Sequence, residues 1–186
     1  MRSAPLRRLG RDRRGAVLIE FAFAVPILAV ILIGCYEAAR YVFIHQKLDR
    51  IATSMADLVT RSEGITAAQL DDLFGAAQRI AAPYDLAADG RIVVSSVYRP
   101  SSGNARVAWQ RASAGSLPVT SRVGVEDGVA TMPPGLVVRT GENVIVAEVW
   151  FRYRPLFAGV LFEGAELYHT AFNRPRVIDL TVCSGC

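Results

Sequence analysis

The sequence predicts an α+β protein, in which a long N-terminal helix and a short helix precede an antiparallel β-sheet. Three observations support this prediction. Residues 16–36 are an apolar run with one charged side chain, Glu20. Apolar residues then recur at helical spacing to about residue 61, and beyond residue 91 the spacing changes to two. The expected divisions are a leader at 1–15, a helix at 16–62 and an α+β domain at 63–186.

The leader carries the positive charge of the chain. Six of the 21 basic residues precede residue 15, against one of the 17 acidic residues, so the remainder has 15 basic and 16 acidic side chains. Phosphate binding needs clustered lysine and arginine side chains. The nearly equal numbers of basic and acidic residues after the leader therefore argue against nucleic acid as a partner.

The apolar run is long enough to cross a membrane. At about 1.5 Å per residue, residues 16–36 span a hydrocarbon core of about 30 Å, which is too long for the apolar part of an ordinary signal peptide. Because the arginines precede the run, the N-terminus is expected in the cytoplasm and the body outside it. The plainest interpretation is a signal anchor, with membrane lipid as its partner.

The helix is expected to continue as an amphipathic segment at 37–61. One stripe repeats in steps of three and four residues, and its members are Tyr41, Ile44, Leu48, Ile51, Met55 and Leu58. A second helix is expected to begin at a capping box formed by Thr66 and Gln69 and to stop before Pro83.

Strands are expected where apolar residues alternate or cluster with β-branched and aromatic residues. The predicted strands are 91–98, 106–110, 143–153, 167–172 and 177–182. The first two are separated by a turn-rich segment and read as a hairpin. Residues 112–135 are rich in Gly, Ser and Pro, and are expected to form a loop with at most short strands.

Glu20 is the one charged residue in the apolar run at 16–36, so its presence there requires an explanation. A carboxylate inside a membrane helix costs about 2.5–3.5 kcal/mol on insertion scales. Glu20 lies near the N-terminal end of the run, so one explanation is that its carboxylate reaches the membrane surface and is simply tolerated there. The other is a positively charged partner in a protein assembly. Cleavage after Gly15 would create such a charge on the α-amino group of Ala16.

The N-terminal block resembles a known family. Gly15 followed by an apolar run with Glu20 at its fifth position is similar to the prepilin-peptidase site of type IV pilin-like proteins. The segment RGAVLIEFA at 14–22, with Pro26, Gly34, Glu37 and Arg40, resembles the TadE-like family of minor pseudopilins and assembly proteins of tight-adherence pili. A weaker likeness lies at 149–157, an aromatic-Arg-Pro-Leu turn.

The resemblance implies a pilin-like fold and a function in pilus assembly and adherence. Gly15 would be the last leader residue, Ala16 the first mature residue, and Glu20 the residue of assembly and recognition. The implied partners are a prepilin peptidase, other pilins or pseudopilins, and inner-membrane assembly proteins. The chain would lie in the bacterial inner membrane, with its C-terminal domain in the periplasm or outside the cell. Ala16 replaces the phenylalanine that is common at this position in ordinary type IV pilins.

Two further residues in the apolar run have alternative explanations. Pro26 removes a backbone N–H, so it predicts a helix kink or is simply tolerated. Residues 32–35 match a lipobox, which predicts lipidation of Cys35 as the alternative to a small apolar helix residue. An acid and a proline inside the preceding apolar run disfavour the lipoprotein alternative.

Cys183 and Cys186 form a C-x-x-C at the end of the sequence. Three interpretations stay open: a small disulfide, free or intermolecular thiols, and a metal or redox site. A zinc site needs about four ligands, and the only histidines are His45 and His169.

No residue constellation predicts an enzyme, a cofactor, a metal or a small-molecule substrate. Asp71 and Asp72 read as the solvated face of the short helix. The alternative to a pilus protein is an uncleaved bitopic protein with a periplasmic scaffold or binding domain.

Overall fold

The computed structural model describes residues 14–133, 135–156 and 163–186. It confirms the α+β class, with a long helix, a short helix and an antiparallel sheet. Most of the basic leader and Phe157 lie outside the described residues. The chain divides into two compact units, one ending at Arg40 and the other covering Tyr41 to Cys186.

Helix α1 runs from Arg14 to Thr60 and contains Pro26. In the first unit its residues 15–32 are all exposed, as an apolar membrane segment would be in the absence of lipid. In the second unit one stripe is buried, comprising Ile44, Leu48, Ile51, Ala52, Met55, Ala56 and Val59. The predicted stripe is correct from Ile44 to Met55 and wrong at both ends: Tyr41 is 40% exposed, and Leu58 is 45% exposed because Val59 holds the buried position.

The elements after α1 are β1 (Ile65–Thr66), α2 (Ala67–Ala81), α3 (Leu86–Asp89), β2 (Gly90–Tyr98), β3 (Arg106–Ala112), β4 (Asn143–Tyr153), β5 (Ala165–Asn173) and β6 (Cys183–Ser184). Helix α2 begins at the expected capping box: the Thr66 hydroxyl accepts from the Gln69 N–H, and the Gln69 side chain accepts from the Thr66 N–H at 2.9 Å. Helix α3 and strand β1 were not expected from the sequence.

The main sheet has the order β3-β2-β4-β5 and is antiparallel throughout. One face of its central strands packs with the stripe of α1 and with α2, through residues such as Val94, Ala147 and Val149. Apolar residues of the segment between β3 and β4, namely Leu117, Val123 and Val138, pack with residues of the other face. Both faces of β2 and β4 are therefore buried, which explains their near-continuous apolar sequences.

The strand predicted at 177–182 is absent from the structure. Val177, Ile178 and Val182 are at least half exposed, and Leu180 alone is buried. The backbone of Leu180 bonds to side chains of the sheet and not to a neighbouring strand. The short strand β6 follows instead and pairs in parallel with β1.

Candidate functional site

The predicted processing site lies in the first turn of α1. Gly15 and Ala16 are exposed, and among the described residues beyond its own helical turn none lies within 4 Å of a Cβ added to Gly15. The bond between these residues lies in the first described turn of α1. Glycine also lowers the local helix stability by about 1 kcal/mol relative to alanine.

Glu20 is exposed one helical turn after Ala16. Positions four residues apart lie on the same face of a helix, so the start of the expected mature chain and Glu20 share a face. Around Glu20 the helix exposes large apolar side chains, including Leu18, Phe21 and Phe23, which are 65–72% exposed. A carboxylate in this setting is desolvated as soon as lipid or another helix covers the surface.

The apolar surface continues to the end of the first unit. The helix from Gly15 to Thr60 is long and apolar enough to cross a membrane. Pro26 and the free Cys35 both lie within it. At its end the Arg40 guanidinium pairs with the Glu37 carboxylate at 3.3 Å, one turn earlier.

A second cluster forms in the other unit from residues that are distant in sequence. His45 on α1 and His169 on β5 are 124 positions apart, yet His45 Nδ1 and His169 Nε2 are 2.9 Å apart and hydrogen-bonded. His169 Nδ1 lies 3.9 Å from an Asp49 carboxylate oxygen. The Tyr41 ring packs against His45, with the ring centroids 4.5 Å apart. Sequence reasoning missed this pair because its only signal was the presence of two histidines.

The sheet also contains a buried carboxylate. Glu148 on β4 is fully buried and accepts hydrogen bonds from the Tyr168 hydroxyl at 2.8 Å, from the Arg122 N–H at 3.0 Å and from the Ser121 hydroxyl. Burial and the nearby Glu148 charge raise the pKa of Tyr168 to about 12. The Arg122 guanidinium lies 3.9 Å above the Tyr168 ring. Through the hydrogen bonds from Ser121 and Arg122, this cluster connects the segment after β3 to strand β4 of the sheet.

A cleft of 490 Å³ lies between α2 and β3 and is lined by Phe74, Gln78, Ile92 and Ser113, among others. At its rim Asp71 accepts two hydrogen bonds from Arg111, at 3.0 and 2.7 Å. Asp71 and Asp72 are both exposed, as predicted for the solvated face of this helix, and Asp71 also forms this ion pair. The hydrogen bond from Arg111 holds the pKa of Asp71 below its usual value.

Cys183 and Cys186 are joined by a disulfide at the start of β6. Near the end of β4, Arg154 of the aromatic-Arg-Pro-Leu segment donates to Asp89 of α3 at 2.5 Å. Within the described parts of the chain, no group of three or more His, Cys, Asp or Glu residues is arranged to hold a metal ion.

Comparison with protein-family models gives a match in the N-terminal region. Residues 15–56 match the family model described as TadE-like protein. The match begins at Gly15, includes Glu20 and Pro26, and ends within the buried stripe of α1. It confirms the resemblance over these residues.

Comparison with curated proteins and with solved structures found no match. The family match and the exposed apolar helix together indicate a membrane protein related to tight-adherence pili.

Proposed function

We propose that the protein is a minor pseudopilin or assembly protein of a tight-adherence pilus system, cut by a prepilin peptidase after Gly15. The observation that carries the proposal is the match of residues 15–56 to the TadE-like family, on a helix whose first half is exposed and apolar. Function then resides in helix packing and not in catalysis. The N-terminus is cytoplasmic, and residues 63–186 lie in the periplasm or outside the cell.

Glu20 has a defined role in this proposal. After cleavage the α-amino group of Ala16 and the carboxylate of Glu20 carry opposite charges. Between neighbouring helices in lipid, each charge needs a partner to offset the loss of hydration. An incoming Ala16 amine that meets Glu20 of a neighbouring subunit would set the register of the two helices, while the apolar side chains supply contact area.

Cleavage is tested on the full chain with a C-terminal tag, produced with and without the system's peptidase. The wild type should lose residues 1–15 when the peptidase is present, and intact-mass measurement should then give Ala16 as the first residue. The Gly15→Asp variant should remain full length. Gly10→Asp adds the same charge within the leader and should still be processed.

The same mass spectra separate the alternatives. A wild-type chain that keeps residues 1–15 beside an active peptidase would overturn the processing step and favour the uncleaved anchor. A mass that corresponds to residues 35–186 plus a diacylglyceryl lipid on the Cys35 thiol would identify the lipoprotein alternative.

The role of Glu20 is tested by Glu20→Ala in cells that assemble pili. Pilus number and surface adherence should fall strongly, with the variant still present in the membrane. Glu20→Asp keeps the charge and should retain part of the activity. Glu63→Ala removes an exposed carboxylate after the end of α1 and serves as the matched control. Normal piliation in the Glu20→Ala strain would contradict the assembly role.

A further inference from the structure

The histidine pair joins two elements whose packing forms the core of the second unit. His45 follows the buried Ile44 on α1, and His169 lies on β5 opposite Val149 of β4. The 2.9 Å contact between His45 Nδ1 and His169 Nε2 is a side-chain hydrogen bond between α1 and β5. The ring centroids are 5.0 Å apart, and the Tyr41 ring packs against His45.

This hydrogen bond depends on protonation. A neutral imidazole has one N–H donor and one acceptor nitrogen, whereas a protonated imidazole has two donors and no acceptor. The contact between His45 and His169 therefore needs at least one neutral ring. If both rings are protonated, two N–H groups and two positive charges face each other across less than 3 Å, and the contact must open.

We propose that the His45–His169 pair is an acid-sensitive latch, which holds the second half of α1 against β5 at neutral pH and releases it in acid. The region it controls is the segment from Tyr41 to Thr60, whose buried stripe packs with the core of this unit. Weakening of the latch would loosen this amphipathic segment while the antiparallel ladder of the sheet stays intact.

Among the described residues, the groups around the pair offer little to stabilise a second proton. From α1, Asp49 lies 3.9 Å from His169 Nδ1, but its side chain is 70% exposed, so water screens its charge. From β4, the Tyr153 ring contacts Tyr41, and Val149 pairs with His169. Glu148, Tyr168 and Thr170 belong to the opposite face of the sheet, since neighbouring strand residues alternate.

The direction of the pH effect follows from this setting. Burial lowers the pKa of His169, the proximity of His45 lowers it further, and Asp49 partly opposes both. The unfolded chain therefore takes up this proton at a higher pH, near the ordinary value of 6.5. The contribution of His169 to stability is complete above that pH and is lost progressively as the pH falls from there through the lower pKa of the folded chain.

The first test is an NMR titration of the full chain in detergent micelles from about pH 8 to about pH 5. It follows the imidazole resonances of the histidines and so reports the protonation of each ring. The chain has two histidines, so an affinity tag without histidine leaves only their two rings in the spectrum. His169 should gain its proton below its ordinary pKa. In His45→Gln the glutamine can accept from a protonated His169, so the titration of His169 should move up. A wild-type His169 that titrates at or above its ordinary value would overturn the latch.

The second test measures amide hydrogen exchange over residues 44–60, corrected for the intrinsic pH dependence of exchange. The wild type should lose protection on acidification, and His45→Gln should lose less. Each unit of pKa difference between the folded and unfolded chain corresponds to about a tenfold change in the equilibrium.

Asp49→Asn removes a nearby carboxylate that favours the proton on His169 and should make the loss of protection larger. Equal loss of protection in the wild type and in His45→Gln would assign the acid effect to other groups and overturn the proposal. His169→Gln is a second variant that removes the pair, for use if His45→Gln does not fold.

Discussion

The side-chain oxygen of Asn143 accepts a hydrogen bond from the backbone N–H of Leu180 at 2.9 Å, inside the core. The amide of Asn143 also donates to Ser96 and to the Val97 carbonyl, while Trp109 donates to the Leu180 carbonyl at 2.8 Å. These bonds satisfy the backbone of a segment that has no strand partner.

Asn143→Leu should therefore destabilise the chain by about 1–3 kcal/mol, because it leaves the buried Leu180 N–H without an acceptor. The measurement is denaturant unfolding of the full chain in detergent micelles at constant detergent. Asn104→Leu, at an exposed position after β2, is the control and should change the midpoint little. Equal effects of the two substitutions would show that the core hydrogen bond contributes little.

The Tyr168 hydroxyl should lose its proton at a higher pH than the hydroxyl of an ordinary tyrosine. Its pKa is raised from 10.0 to about 12, so the unfolded chain loses this proton first. The stability that Tyr168 contributes is complete below about pH 10 and falls as the pH rises toward 12. Unfolding measured between these values should be less pH-dependent in Tyr168→Phe. Identical pH profiles for both chains would contradict the shift.

Lys47 should stabilise the end of helix α2. Its ammonium group donates to the carbonyls of Ile80 and Ala82, at 3.0 and 2.7 Å, and a cation at a helix C-terminus is favourable. Lys47→Met keeps the apolar stem and should cost about 0.5–1.5 kcal/mol of unfolding free energy. Arg50, like Lys47, lies on helix α1. Arg50→Met removes an exposed positive charge there and should cost less unfolding free energy. A larger cost for Arg50→Met than for Lys47→Met would contradict a stabilising role of Lys47 at the end of α2.

Gly115 and Gly75 should respond oppositely to alanine. A Cβ on Gly115 would lie 2.2 Å from the Gly90 carbonyl oxygen, so Gly115→Ala forces the backbone apart and should cost about 1–3 kcal/mol. Gly75 is exposed inside α2 with no atom within 4 Å of its added Cβ. Gly75→Ala should raise stability by about 0.5–1 kcal/mol. Thermal unfolding of both variants beside the wild type tests the sign of each change.

Local sequence patterns predicted most of the helices and strands. The α2 capping box and the strand at 143–153 were predicted with their observed positions, because they depend on neighbouring residues. The segment at 177–182 has the composition of a strand but no strand to pair with, since its central backbone bonds to Asn143, Ser96 and Trp109. A strand is defined by its partner, which a local pattern does not contain.

The sequence by itself determined the α+β class, the exposed apolar half of α1 and the block from Gly15 that the family model matches. These features are contiguous, so composition and spacing reveal them. The tertiary structure alone decided that His45 meets His169, that Asp71 pairs with Arg111 and that the buried Glu148 accepts a hydrogen bond from Tyr168. Such contacts arise when packing of the helices and sheet brings distant residues within 3 Å, and no sequence spacing encodes that approach.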